Sequence, residues 1–237
     1  MDAVDYLRNL EADAHALAGA AGRGLDVPVP SCPDWKVADL VGHIGSVHRW
    51  AAGIVRDQAT ERRSFPEPPP ESELLDWYEE GARQLLDTLR ATPPDAPAWN
   101  FARAPRVAAF WQRRQPLETA IHRWDAQNAH GIAEPIDAAL AADGIDEMVA
   151  LFFPAMVASG RKPAPSGSLH IHLTDRPGEW SLRVEDDGVV VRREHSKDDV
   201  AVRGPAHEVF LYVWGRQTGN VEILGDEGLL GAWELGF

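Results

Sequence analysis

Apolar residues recur at three- and four-residue intervals through most of the first 130 positions, then give way to alternation, so the chain changes texture part-way. Ala3, Leu7, Leu10, Ala14, Leu17 and Ala21 form one stripe and predict an amphipathic helix over residues 3–21, closed by Gly22 and Gly24. The three prolines of Val27-Pro28-Val29-Pro30-Ser31-Cys32-Pro33 exclude helix there. Asp34 is expected to cap a second helix running to about Asp57. On it Leu40, Val47 and Trp50 flank His43, while His48 lies on the neighbouring stripe with Val41, Ile44 and Val55. Phe65-Pro66-Glu67-Pro68-Pro69-Pro70 reads as loop. Leu75, Tyr78, Ala82, Leu85 and Leu89 then predict a third helix over 72–89. After a second proline-rich loop at 92–97, a fourth helix holds Glu118-Thr119-Ala120-Ile121-His122-Arg123-Trp124-Asp125, with Pro116 either starting or kinking it. Four helices with long second and third connections predict a bundle whose crossings are not all simple hairpins.

Gly131 to Pro135 reads as a boundary, dividing a helical domain (1–134) from a C-terminal domain (135–237). A fifth helical segment, 137 to about 158, is rich in Ala, Leu and Phe. Beyond it, Ser168-Leu169-His170-Ile171-His172-Leu173 and Trp180-Ser181-Leu182-Arg183-Val184 alternate, as does Val189-Val190-Val191-Arg192 less strictly. Asp187-Gly188 between the last two has the residues of a hairpin turn. Val200-Ala201-Val202-Arg203 and Val221-Glu222-Ile223-Leu224-Gly225 add two more short strands. Between them Gly204-Pro205 opens a helix through Arg216, and Asp226 begins a last short one. The fold class expected is α+β, a helical bundle followed by a small α+β domain.

Composition narrows the function. At 237 residues, 44% hydrophobic and 25% charged, the chain is an ordinary soluble globular protein with room for a core in each half. Its net charge of −14 argues against nucleic acid or an anionic membrane as partner, since both need clustered Lys and Arg. A single cysteine, Cys32, rules out an intrachain disulfide and suits a reducing interior. The first residues lack the pattern of a signal peptide, and no apolar run is long enough for a membrane helix, so a cytoplasmic location is expected.

Candidate chemistry centres on the fourth helix. Glu118 and His122, one turn apart, share a face with Asp125, and a carboxylate with an imidazole in that spacing supplies half of a metal site. His43 on the second helix is the best third donor, with His48 as its competitor. Asp125 is placed to orient one of the histidines from behind. Cys32, close to a helix start, reads as a packed loop residue more readily than as a nucleophile. His170 and His172 share one side of a strand without a third ligand. His15, His130, His195 and His207 follow no usable pattern, and the tryptophans read as bundle core.

Three stretches carry a resemblance. Ser31-Cys32-Pro33-Asp34-Trp35-Lys36-Val37-Ala38-Asp39-Leu40-Val41-Gly42-His43 and Glu118 to Asp125 resemble segments of the mycothiol-dependent maleylpyruvate isomerase family. Val202-Arg203-Gly204-Pro205, followed by Leu211-Tyr212-Val213-Trp214-Gly215-Arg216, is similar to that family's C-terminal domain. The resemblance implies a DinB-like four-helix bundle and a sterol-carrier-like α+β domain. It implies a divalent metal, typically zinc, held by His43, Glu118 and His122, with mycothiol or another small thiol as cosubstrate. Thiolate addition to a cis double bond, rotation and elimination would then give the trans isomer. Thiol transfer is the sister reaction, and many actinobacterial proteins share the bundle. Arg216 is the residue the resemblance offers to hold a substrate carboxylate, from the far wall of a cleft between the domains, with Arg113 and Arg123 as alternatives. Two other readings stand beside it: a non-catalytic metal-containing protein carrying an apolar ligand in its C-terminal domain, and a metal-dependent hydrolase with Asp125 as base.

Overall fold

Asp2 opens the first helix by accepting the Asp5 backbone N–H (2.8 Å), and α1 spans Ala3–Ala21 on the apolar stripe read from the sequence. The second helix begins later than expected. Asp34 does not cap it but sits at φ 68°, in a turn closed by the Trp35 N–H donating to the Cys32 carbonyl (3.0 Å). Aspartate tolerates that left-handed conformation, and the helix opens only after it. The N-cap is Lys36, whose N–H is taken by the Asp39 carboxylate (2.8 Å), and α2 covers Val37–Arg56. Next, α3 spans Glu71–Ala91 behind Pro70.

Pro116 neither starts α4 nor lies near its end, for α4 runs Ala108–Ala129 with the proline inside. The helix begins at Ala108 because the preceding loop supplies acceptors for its first amides. Ala108 N–H donates to the Ala96 carbonyl and Ala109 N–H to that of Pro94, both at 2.8 Å. The four helices pack α1 on α4 and α2 on α3, with α1–α3 and α2–α4 contacts completing the bundle. Leu17, Leu40, Ile44, Tyr78 and Leu85 are wholly enclosed. Unlike its neighbours, α4 is buried nearly all round, including Gln112, Arg114, Gln115, Thr119, His122, Arg123 and Asp125.

The computed structural model describes residues 1–185, 188–216 and 220–236, and the chain divides into two units, Met1–Ile136 and Asp137–Phe237. The second unit opens with α5 (Ala138–Glu147), capped by the Asp137 carboxylate, and passes through a π-helical turn (Met148–Phe152) into α6 (Phe153–Ala158). The strands are β1 (Ser168–Leu173), β2 (Glu179–Glu185), β3 (Gly188–Arg192), β4 (Val200–Gly204) and β5 (Glu222–Gly225). Their order in the sheet is β3-β2-β1-β4-β5, with β1 and β4 parallel and the other pairs antiparallel. Helix α7 (Ala206–Val213) connects β4 to its antiparallel neighbour β5, and a 3-10 turn (Glu227–Trp233) follows β5. Along β1, Leu169, Ile171 and Leu173 line the apolar face, which leaves His170 and His172 on the other. The Asp187 half of the expected hairpin turn lies outside the described residues. No helix among the described residues is long and apolar enough to cross a membrane.

Candidate metal centre

Helical spacing puts Glu118 and His122 on the same side of α4, and α2 brings His43 opposite them. The Glu118 Oε1 lies 3.5 Å from His43 Nε2 and 3.5 Å from His122 Nε2. One donor atom from each of the three residues falls within 4.8 Å of the others. The other carboxylate oxygen, Oε2, is paired with Arg114 one turn earlier on α4, a buried guanidinium that fixes how Glu118 points. Trp35 closes one side, its ring 5.1 Å from His43 and stacked 6.3 Å from His122.

Behind the histidine stands Asp125. Its Oδ2 lies 3.0 Å from His122 Nδ1, and its Oδ1 accepts the Ser31 hydroxyl at 2.5 Å. An ionised carboxylate has no proton to give, so Nδ1 carries the hydrogen and Nε2 keeps its lone pair toward Glu118. Cys32 Sγ approaches the same carboxylate at 3.9 Å, so it belongs to this supporting network. The His43 imidazole is held down to about 4 by burial first and by the neighbouring His122 second. It is therefore neutral near pH 7, with a lone pair to offer. With a 37% exposed side chain it is also the most open of the three, and it borders a cleft of about 670 Å³ walled by Trp35, Phe65, Pro68 and Leu74.

The remaining candidates sort themselves by what they touch. His48 is wholly buried and lies 2.9 Å from the Thr119 hydroxyl, away from the Glu118 carboxylate. Arg123 is no substrate clamp: its guanidinium donates to Asp13 (2.9 Å), Gln127 (2.8 Å) and the Glu134 and Pro135 carbonyls (2.6 and 3.3 Å). Arg113, within α4, is half-buried. Arg216, in the second unit, is half-buried, donates to the Trp214 carbonyl (2.8 Å), and lines a hollow of about 400 Å³ with Lys162, Tyr212 and Trp233. Ser31, Arg114 and the ring of Trp35 were not anticipated as parts of the site. Arg114 had a usable signal in its four-residue spacing to Glu118, whereas Ser31 acts across 94 positions and had none.

The family model for the mycothiol maleylpyruvate isomerase N-terminal domain matches residues 7–127, and that for the MDMPI C-terminal domain matches 139–232. The chain belongs to this family. Its fold agrees with two crystal structures, of the mycothiol-dependent maleylpyruvate isomerase and of a histidine-to-alanine variant of it. Each superposes with a TM-score of 0.62 at 14% and 13% identity respectively, covering 94% of this chain and 93% of that one. At such identity the likeness speaks for the fold, a helical bundle followed by a small mixed α+β unit. No curated protein matches the sequence.

Two imidazole nitrogens and one carboxylate oxygen, converging with their lone pairs free and with one ligand beside an open cleft, are a donor set suited to a divalent metal that keeps a coordination position for a small ligand. The buried Asp125 behind His122 completes the carboxylate–histidine arrangement that such ligands commonly need.

Proposed function

We propose that the chain is a metal- and thiol-dependent isomerase of its family, acting on a small cis-unsaturated diacid with mycothiol or a related thiol as cosubstrate. His43, Glu118 and His122 are its metal ligands, and zinc is the ion the donor set favours. The observation that carries the reading is the convergence of these three donors beside the cleft, in a chain matched by both family domains. When bound, such a metal lowers the pKa of a coordinated thiol and so supplies a thiolate near neutral pH.

The chain's own groups account for the rest. Arg114 holds Glu118 so that one oxygen faces the histidines. Asp125 positions His122 and fixes its tautomer, and its full burial leaves it no path to act as a base on substrate. Trp35 and the 65–69 segment wall the cleft beside His43 through which a small ligand would enter. Arg216 is proposed to bind a substrate carboxylate, a task that its planar fork and permanent charge suit. In chemical terms the thiolate adds to the double bond, the former double bond turns as a single bond, and loss of the same thiolate gives the trans product. Thiol transfer differs in that the adduct's carbanion takes up a proton instead of expelling the thiolate, so the sulfur stays attached as a thioether. In this reading residues 1–134 are the metal-binding helical bundle and 135–237 the α+β domain that carries Arg216, and a reducing, cytoplasmic setting suits the thiol.

The test is turnover of maleylpyruvate with mycothiol. The expected outcome is fumarylpyruvate formation with the thiol recovered, lost in His43→Ala and His122→Ala. Accumulation of a thioether would make the enzyme a transferase, and inactivity with every thiol would end the reading. In Arg216→Ala, loss of a charged hydrogen bond is expected to lower kcat/KM about 10- to 100-fold with metal content unchanged. Unaltered kcat/KM would remove Arg216 from the site.

A further inference from the structure

A second group of metal-binding side chains lies wholly within the C-terminal unit, on the sheet face opposite its apolar core. Strand alternation puts His170 and His172 on that face of β1, and the β1–β2 register pairs His172 directly with Glu179. The segment between β3 and β4 folds back over the same face. It is pinned there by Asp198, which accepts from Arg183 (2.9 and 2.7 Å), and by Asp199, which accepts from the Ser168 N–H and hydroxyl (2.9 and 2.8 Å). This return delivers His195 to the group.

Three histidines converge on the Glu179 carboxylate. Glu179 lies 3.1 Å from His172 Nδ1, 2.8 Å from His195 Nδ1 and 3.5 Å from His170 Nε2, and one donor from each residue falls within 4.8 Å of all the others. Tetrahedral donors with bonds of about 2.0–2.1 Å stand about 3.3 Å apart, so the observed separations need little adjustment to surround an ion. Burial grades across the group from His170 (5% exposed) to the solvent-facing His195. Such a gradient gives a cation a way in.

One member argues against simple ion pairing. Both ring nitrogens of the buried His170 lack a hydrogen-bond partner, as does the Oδ2 of Asp198, 3.9 Å from His170 Nδ1. A buried imidazole with neither nitrogen satisfied costs stability unless something else occupies it. With Nε2 on a metal and Nδ1–H toward Asp198, both would be used, in the same sense in which Asp125 backs His122.

We infer that His170, His172, Glu179 and His195 form a second divalent-metal site, of three imidazoles and one carboxylate, that clips the 193–199 segment to β1 and β2. Nitrogen-rich sites of this kind take zinc and its transition-metal neighbours rather than magnesium or calcium. Four protein ligands leave no coordination position open, so the role is structural. The site owes nothing to the bundle centre and stands or falls separately from it.

The experiment loads metal-free full-length protein with zinc, removes excess ion by gel filtration, and counts zinc per chain. About two ions are expected in the wild type, about one in the His43→Ala/His122→Ala double variant, and none once His172→Gln and His195→Gln are added. A His43→Ala/His122→Ala protein that retains no zinc would overturn the inference. So would retention that the two further substitutions leave unaltered. His195→Gln alone, at an exposed position, guards against misfolding as an explanation. In the His43→Ala/His122→Ala background, excess zinc should raise Tm, and adding His195→Gln should abolish most of that rise. An equal rise in both proteins would contradict the assignment.

Discussion

His122 is useful because its proton is spoken for. The Asp125 carboxylate fixes the Nδ1–H tautomer, and Ser31 in turn fixes the carboxylate. Asp125→Asn should therefore weaken zinc at the bundle centre by about 10- to 100-fold while the fold persists. Competition against a chelator, in protein whose sheet histidines are replaced, measures this. Unchanged affinity would mean that Asp125 is packing only. A second titration belongs to His48. Thr119 spends its hydroxyl hydrogen on the Gln115 carbonyl (2.8 Å), so the His48 Nε2–H must donate to Thr119, leaving a buried Nδ1 without a partner. Burial, then the nearby Arg49 charge, hold this imidazole down to about 3. The unfolded chain takes up that proton below about 6.5, whereas the folded one resists until about 3, so stability present above pH 6.5 is lost as pH falls across this window. His48→Gln should flatten the dependence of unfolding free energy on pH between 6.5 and 3, by on the order of 3–5 kcal/mol at most. Urea titrations at several pH values would show it, and an unchanged slope would refute it.

At the scale of elements, the first and third helices were legible because each buries one stripe, and β1 because its apolar residues alternate. The stripe of α1 and the alternation of β1 are direct imprints of that. Helix α4 was not legible in its bounds, because it is buried all round and its polar residues mark function and internal bonding rather than an outer face. The Glu118–His122 pair was nevertheless readable from spacing, and His43 from its place on α2. His195 was not, since it lies in a return between strands and joins its partners only through the β1–β2 register and the Asp198 and Asp199 anchors. Arg123 shows how the bundle uses a buried charge, tying α4 to Asp13 of α1 and to the carbonyls of 134 and 135. Arg123→Ala removes the buried cation paired with Asp13 and should cost unit 1 about 3–5 kcal/mol in chemical denaturation. Zinc content should be unaffected in the folded protein, and a loss below about 1 kcal/mol would show that the Arg123–Asp13 pair adds little to the bundle.

Across the whole molecule, 37 acidic residues outnumber 23 basic ones, for a net charge of −14. Salt-sensitive binding of DNA at sub-micromolar concentration and physiological ionic strength is accordingly not expected, and a gel-shift series over salt would expose it. The bundle centre is proposed to hold a divalent ion with a position free for a thiol. Cobalt(II) reads this directly, because it replaces zinc and reports a sulfur ligand by a thiolate-to-cobalt charge-transfer band. Protein carrying His172→Gln and His195→Gln, so that only the bundle centre is loaded, should develop that band when mycothiol is added, with about one cobalt per chain. Replacing His43 and His122 should abolish it. A chain that takes up cobalt at the bundle centre but shows no sulfur band at saturating thiol would contradict the account.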